Sequence, residues 1–112
     1  TLFPYTTLFR SHHIIRRIRD NQTDKLIFAT STPPHPDRPF RDDVWSWHPG
    51  DIERYNAAAT DVMDEHNVPV NDLHAVVAGD FEAMLCDDML HLSETGKAKC
   101  AEAVTAAVSR FL

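Results

Sequence analysis

The run KLIFATS, from Lys25 to Ser31, constrains the fold of this 112-residue chain more than any other stretch. It is apolar without alternating polar positions, and the proline-rich stretch TPPHPDRP stops it at once. A strand covered on both faces of a parallel sheet has this pattern, whereas a strand with one solvated face alternates. Because helices must then cover the sheet, the run predicts α/β architecture.

Helical and extended patterns alternate around this run. HHIIRRIRD, residues 12–20, has the period of an amphipathic helix. Residues 49–67 predict a second helix with Asp51 as N-cap and a buried stripe. That stripe consists of Ile52, Tyr55, Ala59, Val62, Met63 and His66. VPVNDL, residues 68–73, predicts a second strand, which Pro69 confines to a sheet edge.

The C-terminal third predicts further helices. Residues 74–85 suit one or two short helical turns broken at Gly79, and Ser93 is the expected N-cap of a final helix. Its predicted buried stripe is Ala98, Ala101, Val104, Val108 and Phe111. The order helix, strand, helix, strand, helix is that of the end of a doubly wound fold.

Composition excludes some classes of function. The formal net charge of -6 argues against a nucleic-acid partner, because phosphate recognition needs a basic surface. No apolar run approaches the roughly 20 residues that span a bilayer, so no membrane partner is expected. Cys86 and Cys100 lack CxxC spacing; two separate thiols are favoured, and a single disulfide stays open. The compartment is not indicated.

Asp88 and His91 are the best candidates for catalysis. They stand three residues apart before the last helix, so one turn can bring carboxylate and imidazole together. A general-base histidine needs such a partner to hold its second ring nitrogen. On spacing alone, however, a D-x-x-H pair also suits an incidental, solvated surface pair.

The surrounding residues resemble a family. KLIFATSTPP, RYNAAATDVMDEHNVPVNDLH and DDMLHLSETGKAKCAEAV are similar, in that order, to the C-terminal half of the SGNH hydrolases, or GDSL-type esterases. The resemblance implies the C-terminal part of a three-layer α/β/α, flavodoxin-like fold with a parallel sheet. It implies hydrolysis of carboxylic esters or carbohydrate acetyl esters by a Ser-His-Asp triad, with His91 as general base and Asp88 as its partner. No cofactor is implied.

The chain also departs from the family pattern. It contains no G-D-S block for the nucleophile and no G-x-N-D block for the oxyanion hole. Residues 1–11, TLFPYTTLFRS, resemble translated adapter sequence, so we expect a non-native leader followed by a partial SGNH domain over residues 12–112. Such a chain would be inactive and would self-associate through its truncated face. Ser31, after the first strand, is the least implausible substitute nucleophile.

Other polar and aromatic residues suggest alternatives. Trp45 and Trp47, in the loop over residues 32–50, could stack on a sugar or acyl group or merely anchor the loop. The same loop could serve a non-catalytic α/β module that binds a small ligand or a partner. His12, His13, His35, His66 and His74 lack metal-site spacing, so no metal is expected and these histidines are predicted to be solvated.

Overall fold

A computed structural model of the protein describes residues 3–38 and 48–111. Five helices and two strands follow one another in these ranges. They are α1 (Phe3–Asn21), β1 (Phe28–Ala29), α2 (Pro49–Glu65), β2 (Val70–Asn71), α3 (Leu73–Ala78), α4 (Phe81–Met84) and α5 (Glu94–Phe111). The alternation of helices and strands and the break at Gly79 agree with the sequence prediction.

The two strands form a parallel sheet. Phe28 pairs with Val70 and Ala29 with Asn71, and the Thr30 amide donates to the Asn71 carbonyl at 3.1 Å. Phe28 packs into a core, whereas Ala29 is exposed in an apolar groove that it shares with α5. The predicted burial on both faces is therefore wrong for the Ala29 side. Helices nevertheless lie on both sides of the sheet, which gives the α/β/α order.

The first core cluster joins α1 and α2 to the sheet. Ile15, Val62, Met63 and Val68 are buried together, and Phe28 packs against them. The predicted stripe of α2 is confirmed for Ala59, Val62 and Met63, which are buried, whereas Ile52, Tyr55 and His66 are only partly buried. Helix α1 begins at Phe3 and is longer than the predicted helix over residues 12–20. The assignment of residues 1–11 as a non-native leader stays a prediction.

The start of α2 differs from the prediction. His48 occupies the N-cap position without a side-chain capping bond, and Asp51 lies in the first turn, where it contacts Arg54. Pro49 explains this start, because proline is preorganised for the first helical position and has no amide to satisfy. Asp51 instead places negative charge near the positive end of the helix dipole.

The second core cluster joins α3, α4 and α5 around Val77, Leu85 and Cys100. The predicted stripe of α5 is wrong, since Val104, Val108 and Phe111 are 43%, 46% and 42% exposed and Ala98 and Ala101 are exposed as well. The face that packs carries small residues, with Gly96 and Cys100 buried. Small residues permit close helix approach, so selecting the largest apolar residues selects the wrong face of α5.

Two further observations concern the whole described region. Cys86 is exposed and Cys100 is buried, and both are free thiols; burial raises the pKa of the Cys100 thiol. None of the helices within residues 3–38 and 48–111 is long and apolar enough to cross a membrane.

Candidate active site

The site is built on a closed loop between α4 and α5. Leu85 and Leu92 form an antiparallel bridge, and the Cys86 amide donates to the His91 carbonyl at 2.7 Å. Met89 has a left-handed backbone, with φ of 66°, and its amide donates to the Cys86 carbonyl at 2.9 Å. Residues 86–91, called the 86–91 loop below, are thus held at both ends and turn sharply in the middle.

This loop brings Asp88 and His91 together. The Nδ1 atom of His91 lies 2.5 Å from Oδ2 of Asp88. The other carboxylate oxygen, Oδ1, accepts from the backbone amides of Leu90 at 3.0 Å and His91 at 2.9 Å. The His91 side chain is 72% exposed and that of Asp88 is 35% exposed. Carboxylate and imidazole are therefore adjacent, and their catalytic roles stay predictions.

These contacts determine the charge state of the carboxylate. The hydrogen bond from the His91 ring, and after it the bonds from the amides of Leu90 and His91, together lower the pKa of Asp88 to about 2. Asp88 is therefore ionised throughout the neutral range. An ionised carboxylate holds the proton of His91 on Nδ1, so that Nε2 is the acceptor nitrogen of the neutral ring.

Ser93 anchors the loop at its C-terminal end. Its Oγ accepts from the Gly96 amide at 3.0 Å, which confirms it as N-cap of α5, and donates to the Ala83 carbonyl at 2.5 Å. Its amide donates to the Met84 carbonyl at 2.9 Å. One residue therefore ties the start of α5 to the end of α4, on either side of the 86–91 loop.

The contact of His35 with this site was not predicted from the sequence. It is 7% exposed rather than solvated, and its ring Nε2 lies 2.9 Å from Glu82 Oε1. Its backbone amide donates to the carbonyl of Met89, in the 86–91 loop, at 2.9 Å. The flanking prolines in PPHP are the only sequence signal that could have indicated a fixed rather than a mobile side chain.

The other histidines also depart from prediction, except His13, which is exposed. His12 Nδ1 and His66 Nε2 lie 2.7 Å apart between α1 and α2, and both side chains are partly buried. His74 is partly buried, with Nε2 buried and lacking a hydrogen-bond partner in the described chain. His12 and His74 are thus less exposed than predicted, whereas the partial burial of His66 agrees with its place in the predicted stripe of α2.

A cleft of about 400 Å³ lies beyond the carboxyl ends of the strands. Thr30 follows β1 and Asp72 follows β2, and the Thr30 hydroxyl donates to Asp72 Oδ1 at 3.0 Å. Asn56 of α2 lines the same cleft and bonds both the amide and the carbonyl of Ser31 at 2.9 Å. Parallel α/β sheets commonly bind ligands at this edge.

The remaining site predictions concern two tryptophans and metal binding. Trp45 and Trp47 lie outside the described residues. Within residues 3–38 and 48–111, no cluster of three histidine, cysteine, aspartate or glutamate side chains could hold a metal ion.

The described chain is thus a mixed α/β arrangement with a small parallel sheet and an imidazole–carboxylate pair just before its last helix. A family model described as GDSL-like Lipase/Acylhydrolase family matches residues 5–99. The chain therefore belongs to the GDSL-like lipase and acylhydrolase family, as its resemblance to the SGNH hydrolases predicted.

Comparison with solved structures supports the fold. The crystal structure of LAE5, an alpha/beta hydrolase enzyme from the metagenome of Lake Arreo, Spain, is similar with a TM-score of 0.70 and 18% sequence identity. The similarity covers 97% of this chain and 49% of the LAE5 chain, so this chain spans about half the length of LAE5. A search of curated proteins gave no match.

Proposed function

We propose that this chain carries the histidine and aspartate of a serine ester hydrolase, with His91 as general base and Asp88 as its orienting partner. The contact of 2.5 Å between Asp88 Oδ2 and His91 Nδ1 carries the proposal. In a Ser-His-Asp triad the carboxylate occupies this position, because it must bond the ring nitrogen remote from the nucleophile.

The proposed steps follow from this tautomer. His91 Nε2 accepts the proton of a serine hydroxyl while the serine oxygen attacks the ester carbonyl. The imidazolium, stabilised by ionised Asp88, then gives the proton to the leaving alcohol. Water repeats the sequence on the acyl-enzyme and releases the carboxylic acid. No cofactor enters any step.

We further propose that the nucleophile and oxyanion donors come from a segment of the domain outside these 112 residues. The absence of G-D-S and G-x-N-D blocks in the chain supports this, as does its coverage of about half of LAE5. Alone, the chain is then expected to hydrolyse esters no faster than the buffer. Ser31 is the competing nucleophile within the chain.

We propose a small-molecule or carbohydrate ester, such as an acetyl ester, as substrate. The cleft beyond the strands supports a hydroxylated ligand, since hydroxyl, amide and carboxylate groups of Thr30, Asn56 and Asp72 are part of its lining. Trp45 and Trp47 would add stacking surface for a sugar ring.

The test is hydrolysis of p-nitrophenyl acetate by the chain and by the chain joined to its upstream genomic sequence. We expect activity only in the joined protein, with a loss of about 10³-fold or more in kcat for His91→Ala. His13→Ala, which removes an exposed histidine of α1, is the matched control and should retain full activity.

Each other result has a defined meaning. Activity in the 112-residue chain that Ser31→Ala abolishes would assign the nucleophile to Ser31. Joined protein that folds and is inactive would overturn the proposal and favour the non-catalytic ligand-binding module. Joined protein whose activity is unchanged by His91→Ala would overturn the role of His91 as general base.

A further inference from the structure

We infer that His35 is a positioning residue for the pair formed by Asp88 and His91. The inference rests on the proposed function, because positioning matters only if this pair is catalytic. His35 follows β1 and is separated from the pair by more than fifty residues of sequence. It reaches the 86–91 loop through its own backbone and reaches α4 through its ring.

The ring of His35 is held in one orientation. Its Nδ1 accepts from the backbone amides of Asp37 and Arg38, each at 3.1 Å. A nitrogen that accepts two amide protons carries none itself, so the ring proton lies on Nε2 and is donated to Glu82 Oε1 at 2.9 Å. The Phe81 ring packs beside it, with centroids 5.6 Å apart.

Glu82 is also held by a cation, the guanidinium of Arg38. Arg38 binds the same carboxylate oxygen as His35. The hydrogen bond from Arg38 is the largest cause that lowers the pKa of Glu82, and the bond from His35 is the second. The turn over residues 35–38 is therefore attached to α4 by a charged side chain as well as by packing.

The backbone of His35 holds the 86–91 loop through a hydrogen bond to Met89. With the ring fixed, the amide of His35 donates to the carbonyl of Met89 at 2.9 Å. Met89 adopts the left-handed conformation at φ 66°, which is unfavourable for a side chain larger than glycine. This conformation allows the next two amides to reach Asp88 Oδ1. His35 thus holds the strained residue of the turn that joins Asp88 to His91.

Three substitutions separate this role from simple packing. His35→Asn retains an acceptor at the position of Nδ1, His35→Gln retains a donor at the position of Nε2, and His35→Ala retains neither. The readouts are the carboxyl titration of Asp88 and the Nδ1–H signal of His91, measured by NMR on the whole 112-residue chain. The methyl signals of Val62, in the other core cluster, report general loss of structure.

We expect His35→Ala and His35→Gln to raise the pKa of Asp88 from about 2 toward its ordinary value of 3.8 and to broaden the Nδ1–H signal of His91. His35→Asn should restore both, because its carbonyl accepts the amides of Asp37 and Arg38. The methyl signals of Val62 should keep their chemical shifts in every folded variant. Unchanged Asp88 titration in His35→Ala, or rescue by glutamine and not by asparagine, would overturn the inference.

A measurement on the unmodified chain tests the inference even if the variants fail to fold. The scalar coupling across the hydrogen bond from the His35 amide to the Met89 carbonyl should be detectable, and its absence would refute the positioning role. None of these readouts needs hydrolysis. Positioning can therefore be established even if His91→Ala leaves the joined protein active, which would refute the proposed function alone.

Discussion

Gly96→Ala tests how the last helix fixes the site. A Cβ atom on Gly96 would overlap the Met84 carbonyl oxygen and would lie 3.0 Å from the Met84 carbonyl carbon, against an ordinary contact of 3.4–4 Å. The obstacle is backbone and cannot rotate away, so α5 must move off the end of α4. That movement also breaks the bond from the Ser93 amide to the same carbonyl.

The magnitude follows from three contributions. Overpacking against rigid backbone costs about 3 kcal/mol. The lost hydrogen bond adds about 1 kcal/mol. Alanine recovers about 1 kcal/mol through its higher helix propensity. We therefore expect the free energy of unfolding to fall by about 3 kcal/mol, with the urea midpoint lowered by about 1–2 M.

The assay is urea unfolding followed by circular dichroism at 222 nm, with Gly50→Ala as matched control. Gly50 also lies in a helix, and its added Cβ meets nothing within 4 Å. This control should be unchanged or more stable by up to about 1 kcal/mol. If Gly96→Ala matched the control, the close contact between α5 and α4 would be absent and the reasoning refuted.

Two further predictions concern the stability contributed by His66 and by Val77. Burial, then His12 and the nearby arginines, lowers the pKa of His66 below 6.5; the folded state therefore resists its protonation. The contribution of neutral His66 to the free energy of unfolding should therefore be fully present above pH 6.5 and should be lost as the pH falls through the folded pKa. The urea midpoint of His66→Gln should decline less than that of the unmodified chain over the same pH range. Val77→Ala should cost on the order of 2 kcal/mol in urea unfolding because Val77 is fully buried. Val104→Ala, at a 43% exposed position, should cost less than 0.5 kcal/mol; equal losses would contradict the core assignment.

The order of elements could be predicted because it depends on local patterns. The apolar run before the prolines, the stripe of α2 and the Ser93 cap each follow from a few neighbouring residues. The buried face of α5 could not be predicted, since Gly96 and Cys100 are buried by the approach of α4 and α3 rather than by their own hydrophobicity. Tertiary approach overrides the pattern of large apolar side chains there.

Part of the candidate site could likewise be predicted from local sequence and part could not. The proximity of Asp88 and His91 could be predicted from their spacing, because both lie within one turn of chain. His35 could not be assigned to this site, since its contacts with Met89 and Glu82 join segments far apart in sequence. A histidine between prolines gives no local indication of what its ring will meet.

The residues from Asp88 to Gly96 form two separate local structures. Residues 88–91 form the turn that brings the carboxylate to the imidazole. Residues 93–96 form the N-terminal cap of α5. The missing side chain of Gly96 lets this cap sit against the Met84 carbonyl, and the Ser93 amide bonds the same atom. The two halves share no side chain, so Gly96→Ala should displace the pair without altering either of its members. The block that resembles one motif in the sequence is therefore an imidazole–carboxylate pair followed by the helix cap that fixes its position.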